Sequence, residues 1–227
     1  ETRSYNKILI IKEEKMEFEP IFLGQSVLKY QVPLEVFVGL NELYETQKKH
    51  LPNANKQLAG KIPDEVSLFY GGPTNKRMHA HSYVSEDVLK WFYSIFDHYL
   101  KWNKTQEYKM DINSIWVNEM KAHEYNPFHY HTGMKSEVGL SSVLVLKRPD
   151  TYGEEITRKD SPHNGHLEFL GNDSSPIAVN QFRLDAQVGD FFMFPYTTLH
   201  GVYPFWGTDQ ARRTLSYNCD LIRKKPK

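Results

Sequence analysis

The second half of the chain breaks into short apolar runs separated by turn residues, and this pattern constrains the fold most strongly. Strand-like runs follow one another closely from residue 111 onward: 112–120, 138–147, 165–170, 181–186, 190–195, 200–205 and 212–222. Glycines punctuate the connections, namely Gly153, Gly165, Gly171 and Gly189. Many short strands joined by turns favour a β-sandwich or a β-barrel. The fold class is therefore predicted to be mainly β.

Helices are predicted ahead of these strands. Pro33 suits the first turn of a helix that runs toward His50. Ser85 is a good N-cap for a second helix. Its apolar positions share one face, as expected of a helix that covers one side of a sheet: Leu89, Phe92, Phe96, Tyr99 and Leu100.

The organisation of the chain follows from these assignments. A short apolar run at 7–11 indicates a further strand, and 52–82, rich in Pro, Asn and Gly, indicates a loop. The helical part is too small to stand alone. We therefore expect a single domain over 1–227, with N-terminal support at about 1–110 and a β core at about 111–222.

The composition excludes several classes of partner. Lys plus Arg and Asp plus Glu both number 28, so the net charge gives no support for nucleic-acid binding. No apolar run is long enough to cross a membrane. Cys219 is the single cysteine, which excludes an internal disulfide, and the first residues do not resemble a signal peptide. These features predict a cytoplasmic protein that binds neither membrane nor nucleic acid.

Three histidines occur where a metal ion would need them. His129 and His131 form a His-x-His pair, and residues two apart on a strand point to the same face. His200 follows the apolar strand that ends at Pro195. Few imidazole ligands on one rigid wall leave coordination positions open for substrates, which predicts a catalytic metal site. A second pair, His79 and His81, lies in a loop-like stretch and is not expected to bind metal.

The last strand carries two arginines with opposite expected directions. Strand alternation places Arg212 on one face with Thr214, Ser216 and Asn218, and Arg213 on the other. A polar inner face is unusual unless the interior holds an acid, which a guanidinium would grip through paired hydrogen bonds. The alternative is that both arginines face solvent and that the core face is formed by Leu215 and Tyr217.

Together these elements resemble the 2-oxoglutarate/Fe(II)-dependent oxygenase superfamily over about 112–222. The resemblance rests on the order of an Asn-x-x-His-x-His element (126–131), a Ser-containing strand (140–146), a Gly…Phe-Pro…His element (189–200) and an Arg-x-Thr strand (212–218). It is closest to a branch of bacterial and phage oxygenases that are similar to prolyl hydroxylases.

The resemblance implies a double-stranded β-helix, that is, a jelly-roll or cupin-like barrel, supported by N-terminal helices. It implies iron(II) as cofactor, with His200 as the distal ligand, and 2-oxoglutarate and oxygen as co-substrates. Arg212 would bind the far carboxylate of 2-oxoglutarate with help from Thr214, and Arg213 is the fallback. Ser142 and Tyr125 are expected in the pocket, as are Tyr130 and Asn118.

One departure leaves the ligand set open. The superfamily pattern is His-x-Asp/Glu…His, whereas the position two after His129 holds His131. His129, His131 and His200 may be read as an all-histidine triad. Alternatively, His131 is the first ligand and Gly133 occupies the position of the acid, or Glu137 reaches back as in cupins.

The resemblance implies a dioxygenase that hydroxylates a protein or peptide residue, such as proline, or a small metabolite. Two other functions remain open. A cupin-type metal protein would not use 2-oxoglutarate and would not require Arg212. A non-catalytic binding module would take up no metal.

Overall fold

The computed structural model describes residues 24–69, 82–157, 159–171 and 179–224. Within these ranges the chain forms ten strands, two α-helices and one 3-10 turn. The helices are α1 (Leu34–Gln47) and α2 (Glu86–Trp102). The strands are β1 (Leu28–Gln31), β2 (Asp64–Ser67), β3 (Tyr108–Met120), β4 (Asn126–His129), β5 (Gly139–Lys147), β6 (Leu167–Leu170), β7 (Gln181–Leu184), β8 (Asp190–Pro195), β9 (Leu199–Val202) and β10 (Arg212–Arg223).

The strands form two antiparallel sheets that pack face to face. The larger sheet has the order β1-β8-β5-β10-β3-β2, and the smaller has the order β4-β9-β6-β7. One apolar cluster joins Val143 and Phe194 of the larger sheet to Leu167 and Phe169 of the smaller. The prediction of a mainly β fold with helical additions is confirmed.

The two helices cover the outer face of the larger sheet. The hydroxyl of Ser85 accepts a hydrogen bond from the backbone N–H of Val88, so the predicted N-cap of α2 is confirmed. Phe92 of α2 stacks on Tyr217 of β10 with a ring separation of 4.2 Å, and Phe96 meets the same ring edge-on. The helices and the sheet therefore share one core.

Strand β10 divides its side chains between the two faces as the alternation predicts. Arg212 and Thr214 point between the sheets, whereas Leu215 and Tyr217 join the core beneath the helices. Arg212 and Arg213 are both buried, at 3% and 2% exposure. The alternative in which both arginines face solvent is therefore wrong.

The sequence analysis missed two strands, β1 and β2, whereas β4 contains His129 of the His-x-His pair that was expected on a strand. Strand β2 lies inside the stretch that was expected to be a loop, because its sequence Asp-Glu-Val-Ser places only one apolar side chain, Val66, toward the helical core. Strands β6, β7 and β9 are shorter than expected, since β6 begins at Leu167 and β7 and β9 end at Leu184 and Val202. The predicted strand at 7–11 and the pair His79 and His81 lie outside the described residues.

In the part of the chain that the structure describes, no helix combines the length and the apolar character that crossing a membrane requires.

Candidate metal centre and adjoining cavities

Three histidines converge from two paired strands of the smaller sheet. His129 at the end of β4 is the direct cross-strand partner of His200 on β9. His131 follows two residues later, and its backbone N–H donates to the carbonyl of Tyr196. One ring nitrogen of each histidine lies within 4.8 Å of the others, and the described residues contain no other such group of His, Cys, Asp or Glu. The predicted convergence of these imidazoles is thus present in the fold.

Hydrogen bonds at the far side of the rings orient them. Nδ1 of His129 lies 2.7 Å from the carbonyl of Pro127, and Nδ1 of His200 lies 2.9 Å from the carbonyl of Thr198. Each Nδ1–H can donate to its carbonyl, which leaves the Nε2 lone pair free. Nε2 of His131 lies 3.2 Å from Nε2 of His200, so these two lone pairs point at a common space.

Burial keeps the three imidazoles neutral. Desolvation, with a smaller contribution from the neighbouring His129, lowers the pKa of His200 to about 3. Desolvation also lowers the pKa of His129 and brings the pKa of His131 well below its usual value. Neutral imidazole is the form that binds a metal ion. The cluster therefore offers three unprotonated ligands at physiological pH.

The two other ligand sets receive no geometric support. Glu137 is exposed and lies outside the cluster of potential ligand atoms. A Cβ on Gly133 would stand 2.2 Å from a carboxylate oxygen of Asp220. The side-chain direction at Gly133 is therefore filled by the backbone carbonyl of Ser136 and the carboxylate of Asp220.

A narrow cavity lies between the sheets and connects the histidines to strand β10. All three histidines line it, together with Arg212 and Thr214. Its other walls include apolar residues of both sheets, such as Met120, Val143, Leu167 and Val202. One enclosed space thus holds the potential metal ligands and a guanidinium.

The two adjacent arginines differ in their partners. Arg213 donates at 2.6 Å both to Glu119 and to Glu45 of α1, and it packs over the ring of Tyr44. Nη2 of Arg212 has no hydrogen-bond partner, and no carboxylate of the described chain lies within 4.0 Å of Arg212. Desolvation accordingly lowers the pKa of Arg212. A side-chain hydrogen bond with Tyr152 offsets part of this cost, but a buried guanidinium without an anionic partner remains costly unless an anion joins it.

Two predicted pocket residues lie elsewhere. Ser142 is fully buried, and its hydroxyl exchanges hydrogen bonds with the backbone of Tyr217 in the neighbouring strand. Strand alternation points Ser142 toward the helical core and Ser141 toward the inner face, so the prediction missed the inner serine by one residue. Tyr125 is 40% exposed and is absent from the described linings of the cavities, because the chain turns outward before β4.

A second, wider cavity adjoins the histidines on the side of β2 and β3. It is more open to solvent than the first, and His129 and His131 line both cavities. Tyr130 and Asn118 line it as well, in agreement with their expected place near the pocket. The sequence analysis missed Glu65, which is 3% exposed in this cavity. Glu65 stands next to the apolar Val66 in the sequence, but the stretch was assigned to a loop.

Burial leaves Glu65 as an unsatisfied acid. Its Oε1 atom has no hydrogen-bond partner within the described residues. Desolvation raises the pKa of Glu65 to about 7, with a further contribution from the negative charge of Glu124. The folded protein therefore holds this proton more tightly than the unfolded chain does, and stability is lost as the pH rises from the usual value of 4.5 through about 7.

We expect the Glu65→Gln variant to be more stable than the parent protein above pH 7, because the amide removes the cost of ionising a buried carboxyl. The gain in the free energy of unfolding should reach up to about 3 kcal/mol and should vanish near about pH 4.5. Urea denaturation at about pH 5 and about pH 8 measures it. Asp64→Asn, on the neighbouring residue of the same strand, should show no such gain, and a variant that retains the parent pH profile would contradict the assignment.

Residues 114–218 match the family model described as "Putative 2OG-Fe(II) oxygenase". No curated protein matches the chain.

Solved structures share the fold at low sequence identity. A prolyl-4-hydroxylase from Pseudomonas putida is 12% identical over 89% of this chain and 94% of that one, with a TM-score of 0.53. The viral collagen prolyl hydroxylase of Paramecium bursaria Chlorella virus-1, in complex with 2-oxoglutarate, is 13% identical over 85% and 94%, with a TM-score of 0.53. AviO1 from Streptomyces viridochromogenes is 12% identical over 89% and 93%, with a TM-score of 0.56.

The residues present fit the cofactors of this family. Three neutral imidazoles suit iron(II), and the unpartnered nitrogen of Arg212 in the same cavity suits a carboxylate. Iron(II) and 2-oxoglutarate, which the family resemblance implies, are the cofactor and co-substrate of the matched family. Residues 114–218, somewhat less than half of the chain, are thus similar to the 2-oxoglutarate/Fe(II)-dependent oxygenase family.

Proposed function

We propose that this protein is a 2-oxoglutarate- and Fe(II)-dependent dioxygenase that hydroxylates its substrate. The observation that carries the proposal is the presence, in one cavity, of three convergent neutral histidines and a buried arginine without an anionic partner. A metal site alone would not need the arginine, and a binding module would need neither. In this reading the chain forms one domain whose two sheets make a jelly-roll barrel.

His129, His131 and His200 would hold iron(II). Iron(II), with 2-oxoglutarate and oxygen, supplies the oxidising power for hydroxylation of an unactivated C–H bond. The carbonyls of Pro127 and Thr198 fix two of the rings. Nδ2 of Asn218 lies 3.4 Å from Nδ1 of His131, and Oδ1 of the same amide has no partner within the described residues. With that oxygen turned to Nδ1, all three rings are oriented by an acceptor.

Arg212 and Thr214 bind the distal carboxylate of 2-oxoglutarate. Both residues face the cavity from one strand, two positions apart, so the guanidinium and the hydroxyl can contact the same carboxylate. The apolar walls around them exclude water, which strengthens the ion pair and shields the reaction. The opposite end of the co-substrate is then directed at the histidines.

The substrate enters from the wider cavity between β2 and β4. That cavity reaches His129 and His131 and carries exposed side chains at its rim, including Tyr130 and Met134. A protein or peptide residue, such as proline, is supported by the prolyl hydroxylases among the structural neighbours. A small metabolite is the alternative.

Anaerobic addition of iron(II) and 2-oxoglutarate tests the proposal. We expect a weak visible charge-transfer band from the chelate, which should require both components and should disappear when a metal chelator is added. Iron uptake without the band would indicate a cupin-type protein that does not use 2-oxoglutarate. No iron uptake would indicate a non-catalytic module, and either result would overturn the proposal.

A further inference from the structure

The larger sheet presents a row of side chains that runs from the co-substrate cavity to the substrate cavity. Strand pairing aligns Thr214 on β10 with Asn118 on β3, and Asn118 in turn with Glu65 on β2. Directly paired residues share one face of a sheet, so the three side chains all point between the sheets. Asn118 lines both cavities, Thr214 lines the inner one, and Glu65 lines the outer one.

Glu65 and Asn118 are built into this row without partners. Their exposures are 3% and 7%, and Oε1 of Glu65 and Oδ1 of Asn118 accept no hydrogen bond from the described residues. A buried acceptor that stays unpaired costs about 1–3 kcal/mol, and native structures keep few of them. Two such atoms, side by side in a cavity beside the metal centre, indicate that a ligand supplies the missing donors.

The surrounding charges favour a cationic ligand. The negative charge of Glu124 acts on Glu65. Lys121, just beyond β3, pairs with Asp64 at 2.6 Å and not with Glu65. Trp116 and Phe69, which line the same cavity, add flat apolar surface suited to the carbon chain of a ligand. The cavity thus combines a negative end with apolar walls.

We propose that Glu65, with Asn118, binds a cationic nitrogen group of the primary substrate, an ammonium or a guanidinium. The inference rests on the proposed oxygenase function and specifies its substrate class. Glu65 and Thr214 are two strand spacings apart, or about 10 Å. The cationic group of the substrate therefore lies away from the co-substrate. A substrate carbon several bonds from that nitrogen then lies near the histidines. A lysine or arginine side chain, free or in a peptide, has this shape.

Paired probes that differ only in charge test the inference. N-acetyl-L-arginine methylamide is compared with its citrulline counterpart, and the lysine counterpart with norleucine. Calorimetry on the metal-free protein and perturbation of the chelate band under anaerobic conditions measure binding. We expect each cationic probe to bind about tenfold more tightly or better than its neutral partner, the factor expected of one charge-assisted hydrogen bond.

Two variants on the same strand separate the roles of adjacent acids. Glu65→Gln should abolish the preference for the cation while the chelate band and the 2-oxoglutarate affinity stay unchanged. Asp64→Asn should keep the preference, since Asp64 points to the other face and pairs with Lys121. Equal binding of charged and neutral probes, binding of neither, or a preference that survives Glu65→Gln would overturn the inference. If the parent protein shows no chelate band, the oxygenase function is refuted. The calorimetric test of cation binding does not use that band, so the two proposals can fail separately.

Discussion

Replacement of His200 by alanine is expected to abolish iron(II) binding. His200 is the most buried of the three histidines, at 4% exposure, and it is the direct strand partner of His129. Its removal leaves two imidazoles and opens the space into which both point. Disturbing only the groups that orient metal ligands costs 10–100-fold in affinity, so loss of a ligand should cost more than about a hundredfold.

Metal analysis after anaerobic dialysis against iron(II) measures this loss. His166→Ala is the matched control, because His166 is also largely buried near the smaller sheet but lies outside the cluster. It should retain the iron content of the parent protein. Thermal unfolding of both variants shows whether the fold survives, and a folded His200→Ala protein with full iron content would refute the triad.

The second large effect is expected at Arg212. Arg212→Met should raise the 2-oxoglutarate concentration needed for half-maximal chelate formation by about a hundredfold, since truncating one partner of a buried charge pair costs about 2–5 kcal/mol. Methionine keeps much of the volume of the side chain. Because it also removes a buried charge that lacks a partner, stability without 2-oxoglutarate should be maintained or increased.

Arg213→Met is the control on the adjacent residue and should have the opposite profile. Its guanidinium is already paired with Glu45 and Glu119, so its loss should lower stability and leave the 2-oxoglutarate affinity of the folded protein nearly unchanged. Titration of the chelate band and urea denaturation separate the two effects. If Arg213→Met impairs 2-oxoglutarate binding and Arg212→Met does not, the two arginines have been assigned to the wrong faces.

Sequence periodicity predicted the parts of the site that depend on strand alternation. The spacing of His129 and His131 placed both rings on one side, and alternation along β10 separated Arg212 from Arg213. The approach of His200 to this pair came from the family resemblance, because no local pattern encodes the pairing of β4 with β9.

The failures also have a physical cause. Ser141 and Ser142 are both small and polar, so the sequence could not reveal which of them faces inward. Strand β2 lacks an alternating apolar pattern because the side chain it directs inward is the acid Glu65. A polar residue placed inward to bind a ligand interrupts the alternation of apolar and polar residues by which a strand is predicted.

The ion pairs of Arg213 have a consequence for the neighbouring residue. A strand that slipped by one position would exchange the two guanidiniums, and each would then meet the wrong surroundings. Glu45 on α1 and Glu119 on β3 hold Arg213 from two different elements, which makes such slippage expensive. Helix α1, on the far side of the sheet, thereby helps to keep Arg212 facing the inner cavity, where 2-oxoglutarate would bind. No residue of α1 lines that cavity.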